Sequence, residues 1–506
     1  MIYFNKKGLR VYYQSTIKEE ISILEKSLSI YVEGSEYSNM VREGKWDGYA
    51  KYFDKGKFCF WYGLMSHVEQ KLNKRQIKYK KEGFNYNSLE WVEFSDKVSA
   101  DNRDYQRNAI LEFLKVGNGI ILVPTRGGKT FIASELIRLL IGSTRASSVL
   151  FITDNVDLFA QAIKDISSYL GLKEGDIGKI RGDKFVIKQI TVGMIQTIQS
   201  ILYGKKNNLS KQKRVKRNQL EKYLKSVEFP IVDEIHEYGA SSRRIAILRK
   251  FSSYKYYLGL SATPYKLNKI ANMNIDSVTG GIIYNISERD LTERKVLADS
   301  KILLLLFEHD SSILSNEHTY SQVKLQFIIK NPKRNSLIAH ILSLCDYLGL
   351  KTISMFQSIE HGKHISDITG YRFISSDADS EERIKAKEDL LSKSGGILLV
   401  SDIWKKGITL PGVEVLINVS GGKEASLFLQ RRGRILGVTS TKKKALYIDF
   451  IDDCSYYLGE HGLLRIEAYE KQAGKKNIDV LDVSSIEIHK DIRDYLIEFF
   501  ELNIQE

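Results

Sequence analysis

The chain has 506 residues, with 76 Lys+Arg against 62 Asp+Glu and a net charge of +14. It should therefore hold about three or four domains, and its charge favours a polyanionic partner, with a generally basic surface as the plain alternative. Cys59, Cys345 and Cys454 stand singly, which excludes a disulfide framework or cysteine metal site and fits a reducing cytosol. Apolar runs such as 302–307 are far too short to span a bilayer. The start, MIYFNKKGLR, lacks the apolar segment of a secretory signal, so a cytoplasmic, ordered globular chain without membrane contact is expected.

Residues 1–98 read as a small separate α+β domain. Thr16 and Glu19 have capping-box spacing, and Ile17, Ile21, Leu24 and Leu28 recur on one helical face. Segments 49–53 and 58–62 flank Asp54-Lys55-Gly56-Lys57 as a hairpin would. Aromatics interleaved with Lys51, Lys55 and Lys57 have the make-up of a nucleic-acid surface. Most of those aromatics suit the core of a small domain, which leaves the lysines at the tip as DNA contacts.

From about residue 103 strands and helices alternate. Apolar strand candidates are 148–152, 189–193, 229–233 and 256–261, then 301–306, 351–356, 396–400, 413–418 and 445–450. Two such series describe two doubly wound α/β domains, with a break near 290–300. The stretch 123–130, VPTRGGKT, nearly matches the phosphate-loop pattern G-x-x-x-x-G-K-[ST], with Val123 where the first glycine should be. It follows the β-branched run 120–123 and precedes a helical pattern through Phe131, Ile132, Leu136, Leu139 and Leu140. Free backbone N–H groups and the helix dipole can face a phosphate at such a junction; an ordinary glycine-rich turn is the alternative.

The run 231–236, IVDEIH, ends a strand with Asp233 at the carboxyl edge, where open α/β sheets bind ligands. Asp233 suits Mg²⁺, which takes one or two carboxylates plus substrate phosphates, and Glu234 can orient an attacking water. Acidic residues also follow buried strands simply because the chain has surfaced. Ser261 and Thr263, in GLSATP, are small hydroxyl residues suited to relaying a hydrogen-bond change. Between these runs, 205–217 (KKNNLSKQKRVKR) carries seven basic residues and no acid. Such a block reads as a mobile arm on nucleic acid, with a solvated helix face as the alternative; Lys211, Lys213 and Arg214 are its candidate contacts. The tail ends in an acidic amphipathic segment, 491–501, that should pack on the second α/β domain as a helix.

The order and spacing of these runs resemble superfamily 2 helicases and translocases. Arg103-Asp104-Tyr105-Gln106 is similar to the family's adenine-reading element, 123–130 to motif I, 233–236 to motif II and 261–263 to motif III. Segments 153–161 and 191–197 resemble motifs Ia and Ib, with Thr153 and Thr197 toward DNA. Segments 354–362, 399–411 and 430–434 resemble motifs IV, V and VI. EGKWDG at 43–48 and YIDFIDD at 447–453 resemble the phage recombination helicases that migrate branched DNA.

The resemblance implies two tandem RecA-like motor domains, 99–295 and 296–506, after the 1–98 domain. It implies ATP and Mg²⁺ as cofactors. Arg103, Gln106, Pro124, Thr125, Arg126, Gly127, Gly128, Lys129, Thr130, His236 and Gly407 would bind nucleotide, and Thr130 and Asp233 the metal. Lys129 and Glu234 would act with Gln430, Arg431 and Arg434 on the phosphates. Arg434 is the main arginine finger, with Arg431 or Arg432 as further candidates, because Gly437 fills the family's last arginine position. Gln357 and Thr409 join the DNA contacts. The expected partner is branched or forked duplex and single-stranded DNA, with a monomer favoured. An RNA helicase, a duplex translocase without strand separation, and a DNA-binding protein with a decayed ATP site are the alternatives.

Overall fold

The computed structural model describes the chain except residues 85–91, 99–102, 205–210, 264–267, 310–318, 376, 393–394, 402–409, 411, 423–431, 454–455, 486 and 503–506, and only the backbone of Lys211, Ser380, Tyr456 and Gln472. Internal contacts divide it into two units. One is Met1–Pro124 with Gly128–Ile286; the other is Ser287–Glu506 with Thr125–Gly127.

The centre of the first unit is an eight-stranded sheet. Its order is Lys184–Val186, Gly178–Arg181, Ile190–Met194, Val149–Thr153, Phe229–Val232, Tyr257–Ser261, Asn118–Leu122 and Ile282–Asn285. Only the Lys184–Val186 edge pairs antiparallel. Every residue of Val149–Thr153, Ile190–Met194 and Tyr257–Ser261 is buried, as a parallel sheet covered on both faces requires. That double burial is why these strands are continuous apolar runs in the sequence. The two edge strands near 180 are short and carry Lys and Arg, so they gave no such run.

The N-terminal residues build a five-stranded sheet of Phe53–Asp54, Cys59–Trp61, Arg10–Gln14, Ile2–Lys7 and Tyr79–Glu82. Helices Lys18–Ser27 and Met65–Lys74 cover one face, with Leu24, Val68 and Leu72 clustering against Ile2, Phe4, Val11 and Tyr13. The hairpin across 55–58 is present, pairing Phe53 with Phe60 and Asp54 with Cys59. Two expectations fail locally. Thr16 and Glu19 form no capping box: Ile17 is the N-cap residue without a side-chain cap, and Ser15 Oγ takes the Ile17 N–H while bonding Glu20. Ile17 is exposed, so the apolar face starts at Ile21.

Nor does this region stand apart from the first motor lobe. It packs on helix Lys269–Thr279, where Met273 joins its core and Tyr52 Oη donates to the Ile270 carbonyl at 2.9 Å. Two guanidinium groups lie over the Trp61 ring, Arg10 at 3.5 Å and Arg249 at 4.7 Å from its centroid, a doubled cation–π contact. Burial pushes Arg249 down to about 10, and its Nη2 donates to Ser277 Oγ at 2.7 Å.

The second unit holds a seven-stranded parallel sheet: Phe373–Ile374, Gly396–Ser401, Lys351–Phe356, Val415–Asn418, Lys444–Asp453, Asp299–Glu308 and Ile478–Asp482. The tail supplies the last strand and helix Ile488–Phe500, whose Ile488, Ile492 and Leu496 enter the core. The unit begins at Ser287, earlier than the expected 290–300, and a buried ion pair explains why. Arg432 spans both carboxylate oxygens of Glu288, at 2.6 and 3.0 Å, and donates to Ser300 Oγ at 2.6 Å. The short helix Glu288–Glu293 is thus fastened to the second sheet.

The seam on helix Lys269–Thr279 yields a stability prediction. A Cβ on Gly63 would lie 2.1 Å from the Asp276 carbonyl oxygen and 2.9 Å from the Gly280 nitrogen. Gly63→Ala should lower the stability of the first unit by about 1–3 kcal/mol in urea unfolding. Gly175→Ala, whose Cβ meets nothing within 4 Å, should change it little.

Candidate active site

Sheet order brings the candidate residues together. Strand Tyr257–Ser261 lies between Phe229–Val232 and Asn118–Leu122, so the segments after all three emerge side by side at the carboxyl edge. Backbone bonds fix their register. The Val123 N–H donates to the Ser261 carbonyl at 3.0 Å, and the Asp233 N–H to the Ile152 carbonyl at 2.9 Å.

Val123 is fully buried, so the position that a strict phosphate loop gives to glycine is here a core position, followed by buried Pro124. Arg126 and Gly128 have φ of 74° and 87°, left-handed values that favour glycine. Gly128 caps helix Lys129–Gly142, and a Cβ on it would sit 2.3 Å from Gln106 Nε2. Gln106, buried on helix Asp104–Val116, therefore fits against the loop because position 128 has no side chain. Arg103 is exposed at the N-cap of that helix, and its carbonyl accepts from the Gln106 N–H at 3.0 Å. Thr130 occupies the first turn after the loop.

Lys129 Nζ bonds Glu234 Oε1 at 2.6 Å. Glu234 has φ of 46°, a left-handed conformation that costs on the order of 1–3 kcal/mol off glycine, and its N–H donates to Asp233 Oδ1 at 3.0 Å. Burial is the largest influence on both carboxyls. It raises Asp233 well above the usual carboxylate range, helped by the Glu234 charge and only partly opposed by Lys129. In Glu234 the same burial is outweighed by Lys129 and His236, so this carboxyl lies below its ordinary value. Neighbouring acids driven apart in this way mark functional sites more often than structural ones.

The network continues to the third segment. Buried His236 shares a 2.8 Å hydrogen bond between Nδ1 and Ser261 Oγ. Ser261 Oγ donates to the Thr263 carbonyl at 2.8 Å and lies 3.2 Å from the Thr263 N–H. Lys129, Glu234, His236, Ser261 and Thr263 thus form one polar chain across three loops, since His236 Nδ1 also lies 3.4 Å from Glu234 Oε2.

The residues present fit a nucleoside triphosphate. The loop ends at the N-terminus of a 14-residue helix, where backbone N–H groups favour anions. The Asp233 carboxyl and the Thr130 hydroxyl supply oxygen donors of the kind Mg²⁺ takes.

In the second unit Arg434 is buried, and its carbonyl accepts from the Leu410 N–H at 3.3 Å. Arg432 is not a finger: both of its terminal nitrogens are committed to Glu288 and Ser300 within its own lobe. Gly437 has a structural task, pairing antiparallel with Leu297 and offering its carbonyl to Lys442. Gln430, Arg431, Gly407 and Thr409 lie outside the described residues.

The proposed DNA contacts divide. Thr153 is 1% exposed at the end of its strand, so its hydroxyl faces the core and not a ligand. Thr197 Oγ1 accepts from the Gly182 N–H at 3.1 Å, and exposed Gln357 takes a bond from Lys324. Lys55 is exposed, Lys51 pairs with Asp47 at 2.6 Å, and Lys57 reaches Asp54 at 4.0 Å. The basic block is not an arm where it is described. Residues from 211 onward form helix Lys211–Ser226, anchored by Leu220, Tyr223 and Leu224 in the core, with Lys213 and Arg214 on its exposed side. Those anchors lie beyond the charged run, so the run itself carries no sign of them.

Residues 99–266 match the family described as type III restriction enzyme, res subunit, and 333–436 the helicase conserved C-terminal domain. The ATP-dependent DNA helicase UvsW of enterobacteria phage T4 is 23% identical over 87% of this chain and 91% of its own. A DNA 3'-5' translocase, XPB2, of Sulfurisphaera tokodaii is 24% identical over 72% of this chain and 84% of its own. Among solved structures, Saccharomyces cerevisiae Dbp5 bound to RNA and ADP BeF3 has a TM-score of 0.53 at 14% identity, covering 78% of this chain and 93% of that one; this likeness is one of fold. Two RecA-like lobes carrying these helicase domains place the chain in superfamily 2. Within it, the chain is a helicase resembling UvsW. No helix among the described residues is long and apolar enough to cross a membrane.

Substitution separates the roles of the two charged partners. Lys129→Ala and Glu234→Gln should each lower ATP turnover about a hundredfold or more. Only Lys129→Ala should weaken binding of a fluorescent ATP analogue, because Glu234→Gln leaves the loop and Asp233 in place. Near-normal turnover in either variant would remove the assignment.

Proposed function

We propose that this helicase hydrolyses ATP to unwind or branch-migrate forked and four-way junction DNA in recombination, repair or replication. The polar chain from Lys129 through Glu234 and His236 to Ser261 and Thr263 supports this reading most directly. It joins a phosphate-binding lysine to a water-orienting acid and then to a hydroxyl pair on the next loop, as a motor that turns hydrolysis into motion requires.

In this mechanism Lys129 leaves Glu234 for the β- and γ-phosphates. Glu234 then accepts a hydrogen bond from the attacking water and holds it in line. Thr130 and Asp233 would hold Mg²⁺, which when bound would supply positive charge to the phosphate oxygens. Release of Glu234 from Lys129 also loosens its hold on His236, and Ser261 passes that change to Thr263. ATP occupancy thereby becomes a change in loop conformation.

ATPase rates with single-stranded DNA, linear duplex, a four-way junction and RNA, measured side by side, test the substrate. Forks and junctions should stimulate most. Equal or greater stimulation by RNA would replace DNA with RNA as the partner, and stimulation by linear duplex without strand separation would leave a translocase.

The helix Lys211–Ser226 gives a separate measurement. Replacing Lys213 and Arg214 by alanine should reduce the slope of log affinity against log salt by about 0.9 per lost contact on duplex DNA. An unchanged slope would mean that this helix does not touch DNA.

A further inference from the structure

The N-terminal sheet has one face packed on helices and another that the core does not use. Alternation along Ile2–Lys7 and Arg10–Gln14 sends Ile2, Phe4, Val11 and Tyr13 inward. It sends Tyr3, Asn5, Lys7, Arg10, Tyr12 and Gln14 the other way. The register aligns Tyr3 with Gln14, Asn5 with Tyr12 and Lys7 with Arg10, and places Lys80 beside Tyr3 on the other neighbour.

Outer faces of half-buried sheets normally carry polar residues, yet Tyr3 and Tyr12 remain 45% and 37% exposed here. They are diagonal neighbours on adjacent strands, about 7–8 Å apart. They line a shallow depression of about 510 Å³ together with Asn5, Lys7, Gln14 and Lys80. Its charge is mostly positive: Lys7 lies 5.8 Å from the Tyr12 ring centroid and Lys80 is exposed. The acid on this face, Glu82, accepts a hydrogen bond from Asn5 at 3.2 Å.

We propose that this open sheet face is a binding platform for single-stranded DNA, on which Tyr3 and Tyr12 stack successive bases while Lys7 and Lys80 hold the flanking phosphates. Rings on a sheet surface can each take one unpaired base, and basic groups beside them track the backbone. Duplex DNA hides its base faces, so the rings select unpaired strands, which phosphate contacts alone do not do. From the function proposed above it takes only that the partner is DNA.

The test uses the full chain, without nucleotide, and a dT oligomer. Tyr3→Ala/Tyr12→Ala should bind the oligomer at least about tenfold more weakly, with blunt-duplex affinity and basal ATPase unchanged. Tyr3→Phe/Tyr12→Phe should retain wild-type binding, since the rings remain. Lys7→Ala and Lys80→Ala should each flatten the salt slope by about 0.7 on the single strand. With an iodouracil-substituted oligomer, photo-crosslinks should map to Tyr3 or Tyr12. Binding within twofold of wild type in the double-alanine variant, or crosslinks confined to other segments, would overturn the platform. Failure of wild type to remodel junctions, with oligomer binding still dependent on the two rings, would sink the junction reading and leave the platform standing.

Discussion

The buried ion pair between Lys129 and Glu234 is the constraint on which the rest of the first lobe turns. Their side chains are 13% and 22% exposed, so both charges have lost most of their water. Two such charges are tolerated only with good geometry and further hydrogen bonds; removing one partner costs about 3–5 kcal/mol because the other is left uncompensated. The pair holds Glu234 in a left-handed conformation and keeps its carboxyl ionised beside an Asp233 that burial pushes toward neutrality. A phosphate entering the loop competes with Glu234 for the same ammonium. In the mechanism proposed above, substrate therefore enters by exchanging one buried partner for another, which keeps the ammonium compensated.

The second lobe is held by a matching device. Arg432 ties Glu288 and Ser300 into one buried cluster, while the Leu297–Gly437 bridge joins the same two regions through backbone. Deeper in the sheet, Asp449 is shared by Arg465 and Tyr469 at 2.8 and 2.9 Å. Asp452 is shared by Arg334 and His309 at 2.8 and 2.9 Å; against the pull of burial, the Arg334 charge and the hydrogen bonds from both partners hold it below its ordinary value. The acids of the YIDFIDD run are thus partly internal fasteners. Arginine meets several acceptors at once through its planar fork, which suits it to these positions.

The strands buried on both faces were legible in the sequence because a parallel sheet turns them into unbroken apolar runs, and 351–356 coincides with its observed strand. The loops that follow were legible because phosphate chemistry restricts residue type at fixed spacing. Contacts between distant segments were not. Nothing near Gly63 or Trp61 announces helix Lys269–Thr279 as a neighbour, since close approach leaves no periodic trace. Arg432 looked like a phosphate ligand because basic residues in a motif carry the same letters whether they face substrate or Glu288. Thr153 failed for a similar reason: it ends a strand buried on both faces, and a polar letter at a strand end does not show whether its side chain is covered. The charge of 211–217 drew attention to an arm, whereas the apolar anchors of that helix sit just beyond it.

The seam that excludes a side chain at Gly63, with Arg10 and Arg249 both over Trp61, fastens the N-terminal sheet to the first lobe. The two are a single mechanical part, so anything gripped on the sheet shares the displacement of that lobe without slack. The arrangement also separates two kinds of evolutionary freedom. Tyr3 and Tyr12 on the open face can drift and retune what is gripped, whereas Arg10 on the same face also belongs to the seam through Trp61. Residues on the seam cannot change singly, and a graft of this domain between relatives carries its grip across only when both sides of the seam travel together.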